Sequence, residues 1–139
     1  DRRPAERTIE CAGTVAQPYV PLSSAADFGD PMGAMIGAEN EIFADPAYVL
    51  WDGKAEVRFG CRAGGFVAIV PETVRDSIRF ADCAFVDGYA LTGTGDHVFD
   101  TDTVTWSVRA PDGEFEYTAT PTRRHVEGTW KGSPLDVSR

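Results

Sequence analysis

The sequence is poor in the residues that most often announce chemistry. Histidine occurs only at His97 and His125, and cysteine only at Cys11, Cys61 and Cys83, with no C-x-x-C spacing. That spacing is what zinc ribbons and thiol redox motifs need, so both are excluded. No serine sits in a G-x-S-x-G elbow, which removes the commonest nucleophile signature. No apolar run approaches the roughly 18 to 20 residues of a bilayer-spanning helix, and the chain reads as soluble without a membrane span. Asp1 stands where a start Met would, and no signal peptide follows, so the chain reads as a processed form or an excised piece.

Basic residues are also scarce. Lys and Arg together number 13 against 22 Asp and Glu, a formal charge of −9 that repels phosphate backbones and argues against nucleic acid as a partner. Solubility is the plain meaning of such a charge. Only Lys54 and Lys131 are lysines, and Asn40 is the sole asparagine. That skew toward arginine resembles the codon usage of a GC-rich bacterial genome and carries little chemistry.

What is present is β-patterning. A chain of 139 residues has the size of one domain with one core. Residues 1 to 7, charged and aperiodic, read as a flexible lead or linker, and 8 to 139 as a single β domain. A first strand is expected in the run from Thr8, ending at Pro18 or Pro21. Residues 22 to 46 lack clean alternation. Ser23 or Ser24 could cap a turn there, and Asp30 with Pro31 could open about two helical turns. The glycines oppose both, so the expectation is a long irregular loop with at most one short helix. From Tyr48 onward alternation dominates: "YVLW", "AEVRFGC", "FVAIV", "SIRFADCAFVDGYALTGTG", "TVTWSVRA", "EFEYTAT" and "RHVEGTWKG", with "DGK", "RAGG" and "PDG" as turns. "YVLW" and "AEVRFGC" are expected to pair across "DGK". Val104, Trp106 and Val108, then Phe115, Tyr117 and Ala119, then Val126, Gly128 and Trp130 form the expected inward sets. Eight or nine short strands at this spacing predict an all-β fold, an antiparallel β-sandwich or partly open β-barrel, with a meander rather than a Greek key in its C-terminal half.

"VRFGC" from Val57 and "IRFADC" from Ile78 echo each other, each ending in cysteine. The echo places Cys61 and Cys83 on neighbouring strands within reach of a disulfide, leaving Cys11 as a buried thiol. Cys11–Cys83 pairing and three reduced core cysteines are the alternatives. Asp82 adds one residue to the second copy, so Cys83 keeps its face only if a β-bulge forms at Ala81 or Asp82. A disulfide implies an extracytoplasmic or secreted protein.

Three groups are candidate sites. Asp96, Asp100 and Asp102 offer hard oxygen ligands suited to calcium, the only cofactor the sequence suggests, although the spacing is not that of an EF-hand and a capped turn explains it as well. His97, beside Asp96, reads as a general base oriented by a carboxylate, and its alternative is an ordinary strand histidine beside a turn; a second acidic cluster, Glu39, Glu41 and Asp45, could supply paired carboxylates, but sequence gives no distance between them. His125, with Arg123, Arg124 and Glu127, reads as a solvated strand face. Trp51, Tyr48 and Tyr89 are the aromatics proposed to stack on a ligand, Trp51 being expected partly exposed beside its turn, while most other rings should be core. The resulting expectation is a non-catalytic secreted bacterial module that binds a glycan or a protein, or serves as an accessory domain. The alternatives are a small hydrolase using the acidic loop with His97, and a structural cell-surface or assembly domain.

Overall fold

The structure, a computed structural model, describes residues 28–139. The expected lead at 1 to 7, the strand from Thr8, the Ser23 or Ser24 cap and Cys11 lie outside the described residues. Eight strands form one antiparallel sheet in strict sequence order: β1 (Val57–Gly60), β2 (Phe66–Pro71), β3 (Arg75–Ala84), β4 (Ala90–Val98), β5 (Thr103–Ala110), β6 (Gly113–Ala119), β7 (Arg124–Trp130) and β8 (Ser133–Ser138). β1 and β8 are not paired with each other, so the sheet is open, and its meander extends through every described strand.

One face of the sheet is covered by α1 (Pro31–Ala44), followed by the short α2 (Pro46–Val49). Asp30 caps α1 by accepting from the Gly33 N–H at 2.7 Å, and Pro31 occupies the first turn. The helix is 14 residues long rather than two turns: Pro31, Met32, Ala34, Met35, Gly37, Ala38, Glu41 and Ile42 are buried and none of its other residues is fully exposed, so burial on nearly every side sustains it. Gly33 and Gly37 weaken its intrinsic propensity, and tertiary burial overrides that weakness. At Gly37 the fit is tight, since a Cβ there would lie 3.0 Å from the Phe28 ring and require that ring to shift by a few tenths of an ångström.

Asp45 ends α1 and caps α2 through the Ala47 N–H at 2.8 Å, with Pro46 next. This capping overrides the expected strand at "YVLW": Tyr48 and Val49 are helical, Leu50 and Trp51 lie outside any strand, and the expected pairing across "DGK" does not form. The C-terminal β8 is the opposite case, a strand the alternation did not reveal. Its residues are nearly all exposed and include Pro134, so no apolar pattern marks it. Its signal was the turn: Lys131 and Gly132 both take positive φ, 53° and 82°, joining β7 to β8 as a two-residue hairpin connection.

The core lies between α1 and the inward residues of the sheet. Phe80, Trp106 and Tyr117, on β3, β5 and β6, form a chain of rings with centroids 4.9 and 5.2 Å apart. The expected inward sets of β5 and β6 are all buried, whereas on β7 Val126 is buried, Trp130 is half-buried and Gly128 is exposed. β2 is buried at Val67, Ala68 and Ile69, but Val70 is exposed.

Cys61 and Cys83 are joined by a disulfide with Cα atoms 5.4 Å apart. β1 and β3 are not neighbours, since β2 runs between them. The bond forms past the end of that three-strand arrangement, where residues 61–65 turn from β1 into β2 and Ala63 and Gly64 exchange hydrogen bonds with Ala84. The expected bulge is present: the β3–β4 register shifts between Phe80 and Cys83, and Asp82 adopts φ 48°. Gly65 faces this bulge at φ 72°, where a Cβ would meet the Asp82 carbonyl oxygen at 1.9 Å.

Candidate functional site

The aromatic candidates do not form an exposed platform. Tyr48 and Trp51 retain 3% and 8% of their accessible surface. Tyr48 packs edge-on against Phe43 at 5.1 Å, and the Trp51 indole donates to the Ala55 carbonyl at 2.6 Å. The helical turn at α2 tucks both rings against the core, so Trp51 is not partly exposed as expected. Tyr89 stands apart from them, edge-on to Phe28 at 5.8 Å. Its hydroxyl donates to Asp112, whose other oxygen accepts from the Trp130 indole, both at 3.0 Å. Burial, then the Asp112 carboxylate, pushes the Tyr89 phenol well above its usual pKa.

Strand alternation also separates the three aspartates proposed for calcium. Asp96 points to the outer face and lies 3.6 Å from the Arg75 guanidinium. His97 points inward, beside Phe43 of α1, and its Nε2 is 2.7 Å from Asp102 Oδ1. Asp100 sits exposed in the turn between them. Among the described residues, the donor atoms that gather within 4.8 Å of one another belong to a different set, His125, Glu127 and Asp136.

His97 does meet a carboxylate, but the cavity at its ring is about 10 Å³, lined by Phe43, Tyr48, Ile69, Asp76, Ile78 and Trp106 among others. Such a volume holds at most about one water. No serine, threonine, cysteine or lysine lines it. Asp76, buried directly across from His97 on β3, adds a second carboxylate without adding room.

A roomier site lies on the opposite face, where the residues that alternate with the inward sets project. Two cross-strand rows run over β4 to β7. One is Thr92, Arg109, Glu114 and Thr129, and the other is Thr94, Ser107, Glu116 and Glu127. Between the rows is a shallow depression of about 380 Å³ lined by Thr92, Ser107, Arg109, Glu114, Glu116 and Thr129. The Ser107 hydroxyl donates to Glu116 at 2.5 Å, fixing that carboxylate along its row. Glycine on the inner side shapes the face: Gly93 adopts φ 155° and Gly128 φ 137°, and a Cβ on either would lie 2.1 Å from a carbonyl oxygen of the neighbouring strand. Close approach of β5 to β4 and of β7 to β6 depends on those missing side chains. The rows followed from period-two alternation, but registering them needed the turn lengths that align four strands.

Among the described residues the outer face holds little aromatic surface. Phe66 is its main ring, and the guanidinium carbons of Arg58 and Arg79 sit 5.0 and 5.4 Å from its centroid, which occupies it with cation–π contacts. Hydroxyls, carboxylates and one guanidinium define the depression, a surface fitted to hydrogen bonding and charge pairing. The chain matches no protein-family model, and neither the curated proteins nor the solved structures compared with it give a match.

Proposed function

We propose that this chain is a non-catalytic, extracytoplasmic binding module whose outer sheet face receives a polar, basic segment of a protein partner. The observation carrying the reading is the pair of cross-strand rows, with Glu114, Glu116 and Glu127 on three adjacent positions of two strands around the depression. Against one arginine there, Arg109, the local balance is acidic and follows the sign of the whole chain. Complementary charge of this kind speeds encounter and sets specificity more than it adds raw affinity.

The Cys61–Cys83 bond supports an extracytoplasmic setting, because thiols are kept reduced in most cytosols. No helix among the described residues is long and apolar enough to cross a membrane. A protein ligand is favoured over a glycan because, among the described residues, Tyr48 and Trp51 are buried, Tyr89 is half-buried with its hydroxyl held by Asp112, and Phe66 is occupied by two guanidinium groups. A binding role is favoured over hydrolysis because the His97 cavity has no room for a substrate.

Selection from a displayed peptide library tests the proposal. The selected peptides should be enriched in Lys and Arg, should lose binding to the Glu114→Lys, Glu116→Lys double variant, and should weaken as salt rises. Peptides without basic enrichment, or unaffected by that variant, would contradict it.

A further inference from the structure

Beside that depression, at the β7–β8 edge, three side chains hold a relationship the binding reading does not use. His125 and Glu127 are two residues apart on β7 and project from the same outer face, while Asp136 of β8 lies directly opposite Glu127. The paired hydrogen bonds between Arg124 and Arg139 fix the ladder phase, making Glu127 and Asp136 a non-hydrogen-bonded pair, the kind in which facing side chains approach most closely. Two carboxylates so placed repel each other. Glu116, opposite Glu127 on β6, extends the same row by a third carboxylate. Among the described residues no lysine or arginine is ion-paired with Glu116, Glu127 or Asp136. The imidazole is the group that meets them, with His125 Nε2 lying 2.7 Å from Asp136 Oδ1 and 3.9 Å from Glu127 Oε1.

We propose that His125, Glu127 and Asp136 form a binding site for a divalent transition cation, zinc being the best fit. The donor set decides the class. Calcium and magnesium take oxygen ligands, whereas an imidazole nitrogen with two carboxylates suits zinc and its first-row neighbours. The three donor atoms already lie within 4.8 Å of one another. Around a tetrahedral zinc with bonds of about 2.1 Å the donors stand about 3.4 Å apart. Both carboxylates are exposed, so side-chain rotation alone closes the remaining gap. The cation would replace the imidazole–carboxylate hydrogen bond and neutralise the facing carboxylates. Glu127 and Asp136 also line a groove with Glu116, Gly128, Pro134 and Leu135, which leaves room beside them for water or a partner's ligand. Because the site needs only this hairpin, it stands independently of the proposed peptide partner.

Titration calorimetry of the whole chain with zinc chloride at pH 7.5, in a buffer that does not chelate, tests it. The expected result is saturable binding of one zinc per chain, a rise in melting temperature with zinc, and no heat from calcium at the same concentration. His125→Ala and Asp136→Asn should each weaken binding roughly tenfold or more while leaving the circular dichroism spectrum unchanged. His97→Ala should leave zinc affinity as it is. Absence of saturable zinc binding, or affinity retained in both His125→Ala and Asp136→Asn, would overturn the assignment.

Discussion

The Tyr117 hydroxyl, projecting from the centre of β6, donates to the Glu39 carboxylate of α1, and Glu39 Oε1 also lies 3.5 Å from the Arg124 guanidinium of β7. One helical carboxylate thus satisfies a buried phenol and ties the helix to two strands. A second tie, between Arg62 and Glu41, joins the same helix to the β1–β2 turn. Removing either partner leaves a buried polar group without its bond, which typically costs about 1–3 kcal/mol. Tyr117→Phe should therefore lower unfolding stability by about 1–2 kcal/mol in urea titrations, with Glu39→Ala at least as damaging because it also strands the phenol. Equal stability of both variants and the parent would show that the helix does not depend on this bond.

Alkaline behaviour follows from the same tyrosines. Burial first, and the facing Glu39 and Asp112 carboxylates next, raise the phenols of Tyr117 and Tyr89 above the ordinary tyrosine value. The folded state then keeps protons that the unfolded chain releases from about pH 10 upward. Their contribution is fully present below that pH and is lost as pH rises beyond it. Absorbance titration at 295 nm should show at least two of the four tyrosines resisting ionisation until the chain unfolds. Four tyrosines titrating together near pH 10 with the fold intact would contradict it.

Loss of the disulfide should be costly. Cys61 and Cys83 close a loop with a sequence separation of 22 residues. Chain-entropy reasoning assigns such a closure about 3 kcal/mol. A Cys61→Ser, Cys83→Ser double variant should show a matching fall in urea-derived stability, and non-reducing peptide mapping of the parent should recover the 61–83 pair. Recovery of Cys83 bound to Cys11 would contradict the pairing.

The bulge makes a residue-specific claim. Asp82 occupies φ 48°, a region that asparagine, aspartate and glycine tolerate and β-branched residues do not, and its carboxylate accepts from Thr92 at 2.9 Å. Asp82→Gly should change stability by less than about 1 kcal/mol, trading that bond for backbone freedom, whereas Asp82→Val should cost about 2 kcal/mol. A valine tolerated as well as glycine would mean that the bulge relaxes.

How far the fold could be read from the sequence depended on what set each element. Period-two patterning located β3 to β7, and the extra residue at Asp82 located the bulge, because alternation breaks visibly when a residue is inserted. The glycines of α1 argue locally for a shorter helix than the one that burial of Met35, Ala38 and Ile42 supports. "YVLW" read as strand because its residues favour strands, and the Asp45 cap with Pro46 outweighed that preference. β8 was hidden because an exposed edge strand needs no apolar residues. Trp51 is buried rather than partly exposed for a related reason: sequence places a ring beside a turn, but the α2 helical turn decides whether it points outward. The acidic face and the His125, Glu127 and Asp136 set are spread over separate strands, and only strand register brings them together.

The central claim, that the polar outer face and not the His97 cavity is the working surface, can be read directly by amide chemical-shift mapping with a basic peptide taken from the library selection. Shifts should concentrate at Thr92 to Thr94, Ser107 to Arg109 and Glu114 to Glu116, and disappear at high salt. Shifts centred instead on His97, Asp102 and Phe43, with the outer rows unmoved, would contradict it.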